Sequence, residues 1–99
     1  MDRAALIATL KEYDAALRQS GATGLYVFGS RARGDHRRDS DLDLFIDYDP
    51  DAKVPNIFRL MQLEDDIGRR LGVPVTITTR NALHPLMKAE IERDAIRVL

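Results

Sequence analysis

Asp41 and Asp43 stand at the entrance to an apolar run, Leu42, Leu44, Phe45 and Ile46. In a strand the i, i+2 spacing sends both carboxylates to one face and Leu42, Leu44 and Ile46 to the other, into a core. Ten residues upstream a Gly29-Ser30 corner ends another apolar run, and the segment between holds four arginines and a histidine. A hard divalent cation such as Mg²⁺ takes oxygen ligands, commonly one or two carboxylates completed by substrate phosphate oxygens. A Gly-Ser corner lets backbone N–H groups approach a phosphate closely, with the Ser30 hydroxyl as a further donor. Arg31 and Arg33 add positive charge where phosphoryl transfer develops negative charge. The chemistry this combination offers is the handling of a phosphate ester with a divalent cation. The plainer alternative, an exposed strand face and a tight turn, fits each piece alone. It fits less well the joint spacing of Gly-Ser, ten residues and Asp-x-Asp, each placed at a strand's end or start.

Those residues need strands and helices to hold them. Leu6, Ile7, Leu10, Tyr13 and Leu17 recur at three- and four-residue steps, which predicts an amphipathic helix over 2–20, opened by Asp2 and closed by Ser20-Gly21. Ala22-Thr23-Gly24 reads as a connection, residues 25–28 as a first strand, 30–34 as one turn of helix and 36–40 as polar loop. Residues 41–48 read as the second strand. Asp49-Pro50-Asp51 is turn chemistry. A second helix starts at Pro55 and Asn56, carries Ile57, Leu60, Met61, Glu64, Ile67 and Leu71 on one stripe and stops at Gly72. Glu64 is out of place on that stripe, which puts it near the stripe's edge. Residues 73–78 are β-branched with a proline near the start, a strand beginning or edge. A third helix over 85–93 and a last strand over 95–99 complete the chain. The expected fold class is α/β (α+β): a small mixed β-sheet with helices on one face, residues 1–99 forming a single domain.

Composition narrows the function classes. Ninety-nine residues leave room for one modest core. A net charge of −1 gives no general pull toward nucleic acid or membrane, so neither is an expected partner. Charge separates locally, because residues 39–51 hold six aspartates just after the arginine-rich segment. With no cysteine there is no disulfide framework and no thiolate metal site, which suits the cytoplasm. No apolar signal region and no stretch of about eighteen apolar residues is present, so neither export nor membrane spanning is expected. There is no Gly-Lys-Ser/Thr for a P-loop and no G-x-G-x-x-G for a dinucleotide fold. His36 falls in the polar loop and His84 near the third helix; neither is given a catalytic role. Arg37 and Arg38 fit a triphosphate contact or a solvated loop equally.

Gly29-Ser30, ten residues and Asp41-x-Asp43 resemble the signature of the DNA polymerase beta-like nucleotidyltransferase superfamily. More closely, Phe28-Gly-Ser-Arg-Ala-Arg-Gly34 followed by Asp39-Ser-Asp-Leu-Asp-Leu44 resembles the minimal nucleotidyltransferases of bacteria and archaea, over nearly the whole chain. The resemblance implies transfer of a nucleoside monophosphate from a nucleoside triphosphate, ATP for preference, to an acceptor hydroxyl with release of pyrophosphate. It implies that Gly29, Ser30, Arg31 and Arg33 hold the nucleotide. Asp41 and Asp43 would bind Mg²⁺, with Asp41, Asp43 and Ser30 as the catalytic group. A third carboxylate on the next strand completes the metal site in this family, whose strand reads Val-Asp-Leu-Val-Thr-Arg. Here the matching residues are Val75-Thr76-Ile77-Thr78-Thr79-Arg80, and Thr76 stands where that carboxylate belongs. Asp47 shares the parity of Asp43 but lies ~13 Å further along the strand, too far to replace it.

Stand-alone members of this kind resemble the antitoxin half of a two-component system, paired with a helical HEPN-type toxin whose tyrosine hydroxyl would accept AMP. Two other readings stay open: a module that neutralises its partner by binding alone, favoured by Thr76, and a transferase for a small molecule, disfavoured by the missing second domain. Homo-oligomerisation is left open.

Overall fold

The computed structural model describes residues 2–51 and 54–99. The chain starts with α1 (Arg3–Lys11), whose N-terminus is capped as expected by the Asp2 side chain accepting from the Ala5 amide at 2.8 Å. The expected single helix is broken. Glu12 and Tyr13 turn on N–H bonds to Thr9 and Leu10, three residues back, and α2 (Asp14–Gln19) follows. At the break Arg70, on a later helix, pairs with Glu12 at 2.7 Å and lies over the Tyr13 ring. Leu10 and Leu17, on either side of the bend, are both fully buried. Ser20 closes α2 through its hydroxyl, which donates to the Leu17 carbonyl.

Strand β1 (Ala22–Phe28) begins three residues before the expected start, because the second strand is long enough to pair it from Ala22, across an irregularity at residues 22–24. After it come the single turn α3 (Ser30–Arg33) and β2 (Leu42–Tyr48), which lies antiparallel to β1. Helix α4 (Ile57–Leu71) then crosses back, capped by Asn56 and stopped by Gly72, to bring β3 (Val75–Thr79) parallel to β2. Pro55 precedes this helix and does not start it. A 3₁₀ turn at Arg80–Ala82 and a turn at residues 85–87, held by bonds to His84, replace the front of the expected third helix, so α5 spans only Lys88–Asp94. The last strand, β4, is Ile96–Arg97. The order across the mixed sheet is β3-β2-β1-β4, which puts the Pro74-led strand at an edge as expected.

Alternation divides the sheet. Leu25 and Val27 with Leu42, Leu44 and Ile46 face a core shared with Leu6 and Leu10 of α1, Leu17 of α2 and Leu60, Leu63 and Ile67 of α4. Helices on one face describes these three. The other face carries Asp43, Phe45 and Asp47 of β2 beside Phe28 and Tyr26 of β1. There Tyr26 stacks on Phe45 at 4.7 Å, and Arg80, held from α5 by Glu92, lies 4.9 Å over each ring.

Candidate nucleotide and metal site

The site is a crossing of strand ends. β1 finishes where β2 begins, and Phe28 is the register partner of Asp43. The chain then turns at Gly29, with φ 76° and ψ −153°, a region open only to glycine. The turn presses against the carboxylate: a Cβ on Gly29 would stand 2.5 Å from Asp43 Oδ2. Glycine is therefore needed twice over, for the conformation and for the approach. Ser30 follows as the first residue of α3, so the structure brings Gly29, Ser30 and Asp43 together.

Asp41 lies just outside β2 and is exposed, while Asp43 is half-buried. Burial pushes the Asp43 carboxyl above its usual range, the negative charge of Asp41 pushes it further, and the Arg33 guanidinium partly offsets both. Two carboxylates whose repulsion a cation would relieve, on a strand end beside the Gly29 turn, suit a divalent metal ion. Among the described residues no group of three or more histidine, aspartate or glutamate side chains gathers there. The donor set thus fits Mg²⁺ that brings phosphate oxygens as its remaining ligands, and does not make a self-sufficient protein cage.

The two arginines part company. Arg33 is exposed, donates to Asp35 at 3.2 Å and acts on Asp43 through its charge. Arg31 turns to the backbone of the next loop: its guanidinium donates to the Ser40 carbonyl at 2.8 and 3.3 Å and to that of Arg38 at 3.4 Å. Ser40 Oγ accepts in turn from the Arg37 amide at 2.8 Å. Arg31 so fastens the Gly-Ser turn to the residue preceding Asp41. Nothing in the residue pattern announces this bond, which is made to a carbonyl nine residues away.

Across the parallel ladder Thr76 is the register partner of Asp43 and is exposed. Asp47 is engaged elsewhere: Arg80 grips it with two bonds, 2.6 and 3.0 Å, and that grip holds its carboxyl below the usual range. That pairing commits its carboxylate to Arg80 and not to Asp43. Glu64, odd on the α4 stripe, also has a use: its Oε2 accepts from the Ile77 amide at 2.7 Å, satisfying a backbone donor of edge strand β3. His36 is exposed, and His84 bonds the Leu86 amide in its turn.

Strand ends of this order, with a Gly-Ser turn between β1 and β2, make a nucleotidyltransferase-type fold. The sequence model of the nucleotidyltransferase domain matches residues 10–98, and the chain belongs to that family. A Methanocaldococcus jannaschii protein named "putative protein adenylyltransferase" is 36% identical over 73 residues, 73% of this chain and 71% of that one. The solved structure of a "putative minimal nucleotidyltransferase" superposes with a TM-score of 0.76 and 32% identity, covering 97% of this chain and 95% of that one. A chain from the complex of tri-AMPylated Shewanella oneidensis HEPN toxin with MNT antitoxin shares the fold alone, with a TM-score of 0.60 at 13% identity over 90% of this chain and 67% of that one.

Proposed function

We propose that this protein binds a nucleoside triphosphate with Mg²⁺, ATP for preference, and transfers AMP to a tyrosine hydroxyl of a HEPN-type partner toxin in the cytoplasm. The observation that carries the reading is Asp43, within the field of Asp41, set against the Gly29 turn. Asp41 and Asp43 hold the cation. When bound, Mg²⁺ supplies neutralisation of phosphate charge and orientation of the leaving pyrophosphate. Gly29 and Ser30 seat the phosphates, and Arg33, exposed and paired with Asp35, adds positive field beside them. The acceptor oxygen bonds to the α-phosphorus, the bridging bond to the β-phosphate breaks, pyrophosphate leaves and the hydroxyl proton passes to solvent. The relative named as an adenylyltransferase and the structural neighbour from an AMPylated toxin complex support this assignment of group and acceptor.

A second reading is favoured by one residue. Thr76 offers a neutral hydroxyl where a carboxylate would complete the metal shell and take the acceptor's proton. The chain would then neutralise its partner by binding alone. Incubation of the protein with α-labelled ATP, Mg²⁺ and the co-purified product of its neighbouring gene separates the two. Label on a partner tyrosine supports transfer. A stable unlabelled complex supports the binding reading, and binding of neither ATP nor partner overturns both.

A further inference from the structure

Helix α4 buries Leu60, Leu63 and Ile67 but leaves large apolar side chains outside at its first two turns. Phe58 is 80% exposed, Val54 72%, Ile57 61% and Met61 56%. Ile57, Phe58 and Met61 lie on one side of the helix, and Val54 is in the segment that leads into it. A contiguous apolar patch rimmed by polar residues is the usual mark of an interaction surface. Its place in the fold is distinct from the nucleotide site. Asn56 donates to the Ser20 carbonyl and Pro55 packs on Gly21, so α4 starts beside the head of β1. Asp43 lies beside the other end of that seven-residue strand, ~20 Å away at the usual rise per residue.

Charge selects the occupant. Between residues 49 and 66 the sequence carries five acids (Asp49, Asp51, Glu64, Asp65, Asp66) against Lys53 and Arg59. Asp49 and Asp51 precede the patch, exposed Asp65 and Asp66 follow it one turn on, and Arg59 is half-buried and bonded to Gln62. A second copy would bring the same acidic surroundings to the patch, like charge to like, whereas a basic partner complements them. We infer that the first two turns of α4 dock a partner protein that brings apolar side chains flanked by lysine or arginine, leaving the carboxylate site open. This rests on the reading that the chain acts on a protein partner, and adds where that partner is held.

The test starts from the full-length protein carrying benzoylphenylalanine at position 58, or at exposed Glu90 as control, irradiated in its native host. The cross-linked protein is then purified and its affinity measured for wild type, Phe58→Asp and Met61→Asp, at low and high salt. One protein is expected from position 58 and not from position 90. Each variant should weaken its binding about tenfold or more, as for an interface anchor, while salt weakens the wild-type complex. Binding of Mg²⁺–ATP and the thermal midpoint should stay at the wild-type values, because Phe58 and Met61 are exposed and distant from Asp43. Cross-links only between copies of this chain, no cross-link, or undiminished binding by both variants would overturn the proposal. A complex that depends on Phe58 yet takes no label from ATP would sink the transfer reading and keep this one.

Discussion

Thr76 stands directly beside Asp43 in the parallel pairing of β3 with β2, on the face that carries the carboxylates. Neighbouring strands are about 4.8 Å apart, so a carboxylate at 76 would share a cation with Asp43. Thr76→Asp is therefore expected to tighten Mg²⁺ or Mn²⁺ binding by about tenfold or more and to raise AMP transfer, since a charged oxygen replaces a neutral one. Metal titration and labelled transfer read the two effects separately. Unchanged metal affinity in a folded variant would show that the site does not use this strand.

Asp43 sets a pH dependence whose sign follows from its environment. Burial and the charge of Asp41 raise its carboxyl in the folded state, so the folded chain holds that proton more tightly than the unfolded chain does. Its ionisation costs folded-state stability as pH rises past the ordinary carboxylate value of 3.8 through the raised one. Without metal at neutral pH, Asp43→Asn should consequently raise the thermal midpoint. A cation competes with the same proton, so wild-type metal affinity should fall as pH drops through that range. Melting curves in EDTA and in Mg²⁺ check both. A lower midpoint for the variant in EDTA would contradict the repulsion argument.

Period and punctuation carry much of this structure into view. Alternation in β2 separates Leu42, Leu44 and Ile46 from Asp43, and the Asp2, Gly21 and Gly72 signals mark real helix ends. What is illegible depends on contacts far away in sequence. The break at Glu12–Tyr13 meets Arg70 from a distant helix, and β1 reaches back to Ala22 because Tyr48 is there to pair with it. The apolar stripe drawn through Ile57 and Met61 joins core to surface, since period alone cannot tell an apolar residue packed on the sheet from one left outside. In the candidate site, the residue types single out Asp41, Asp43, Gly29 and Ser30 as candidates, but a count of arginines cannot show that Arg31 is tied to Ser40 while Arg33 acts on Asp43 through its charge.

Arg80 offers a test of the opposite half of that sheet face. It joins Asp47, Glu92 and the stacked Tyr26–Phe45 pair, tying α5 to β2. Arg80→Met keeps most of the bulk over the rings and removes the bonds, at an expected cost of about 1–2 kcal/mol for half-buried charge-assisted pairs. For a chain of this size that is a fall of roughly 4–12 °C in midpoint. The Asp47 carboxyl is lowered in the folded state, so this contribution is present above about pH 4 and is lost as pH falls through the folded value. The gap between wild type and variant should thus narrow in acid. A gap constant down to acid denaturation would assign the effect to packing on the rings and not to the ion pair.

The closest test of the site itself is a single methyl group. Gly29→Ala forces a side chain onto a backbone at φ 76° and aims its Cβ at Asp43 Oδ2. The conformational strain alone costs about 1–3 kcal/mol. The contact can be relieved only if Asp43 turns away or the Gly-Ser turn lifts from it, and either movement separates the proposed phosphate seat from the proposed metal ligand. Binding of Mg²⁺–ATP should therefore fall well beyond the loss of stability, by about tenfold or more at temperatures where the variant is fully folded, a loss of about 1.4 kcal/mol. Gly34→Ala is the control. Gly34 also has positive φ, at 84°, but a Cβ there meets nothing within 4 Å, so it imposes backbone strain without pressing on a carboxylate. If both alanine variants lose affinity equally, the closeness of Gly29 to Asp43 has no part in binding. If only Gly29→Ala does, the turn and the carboxylate act as one unit.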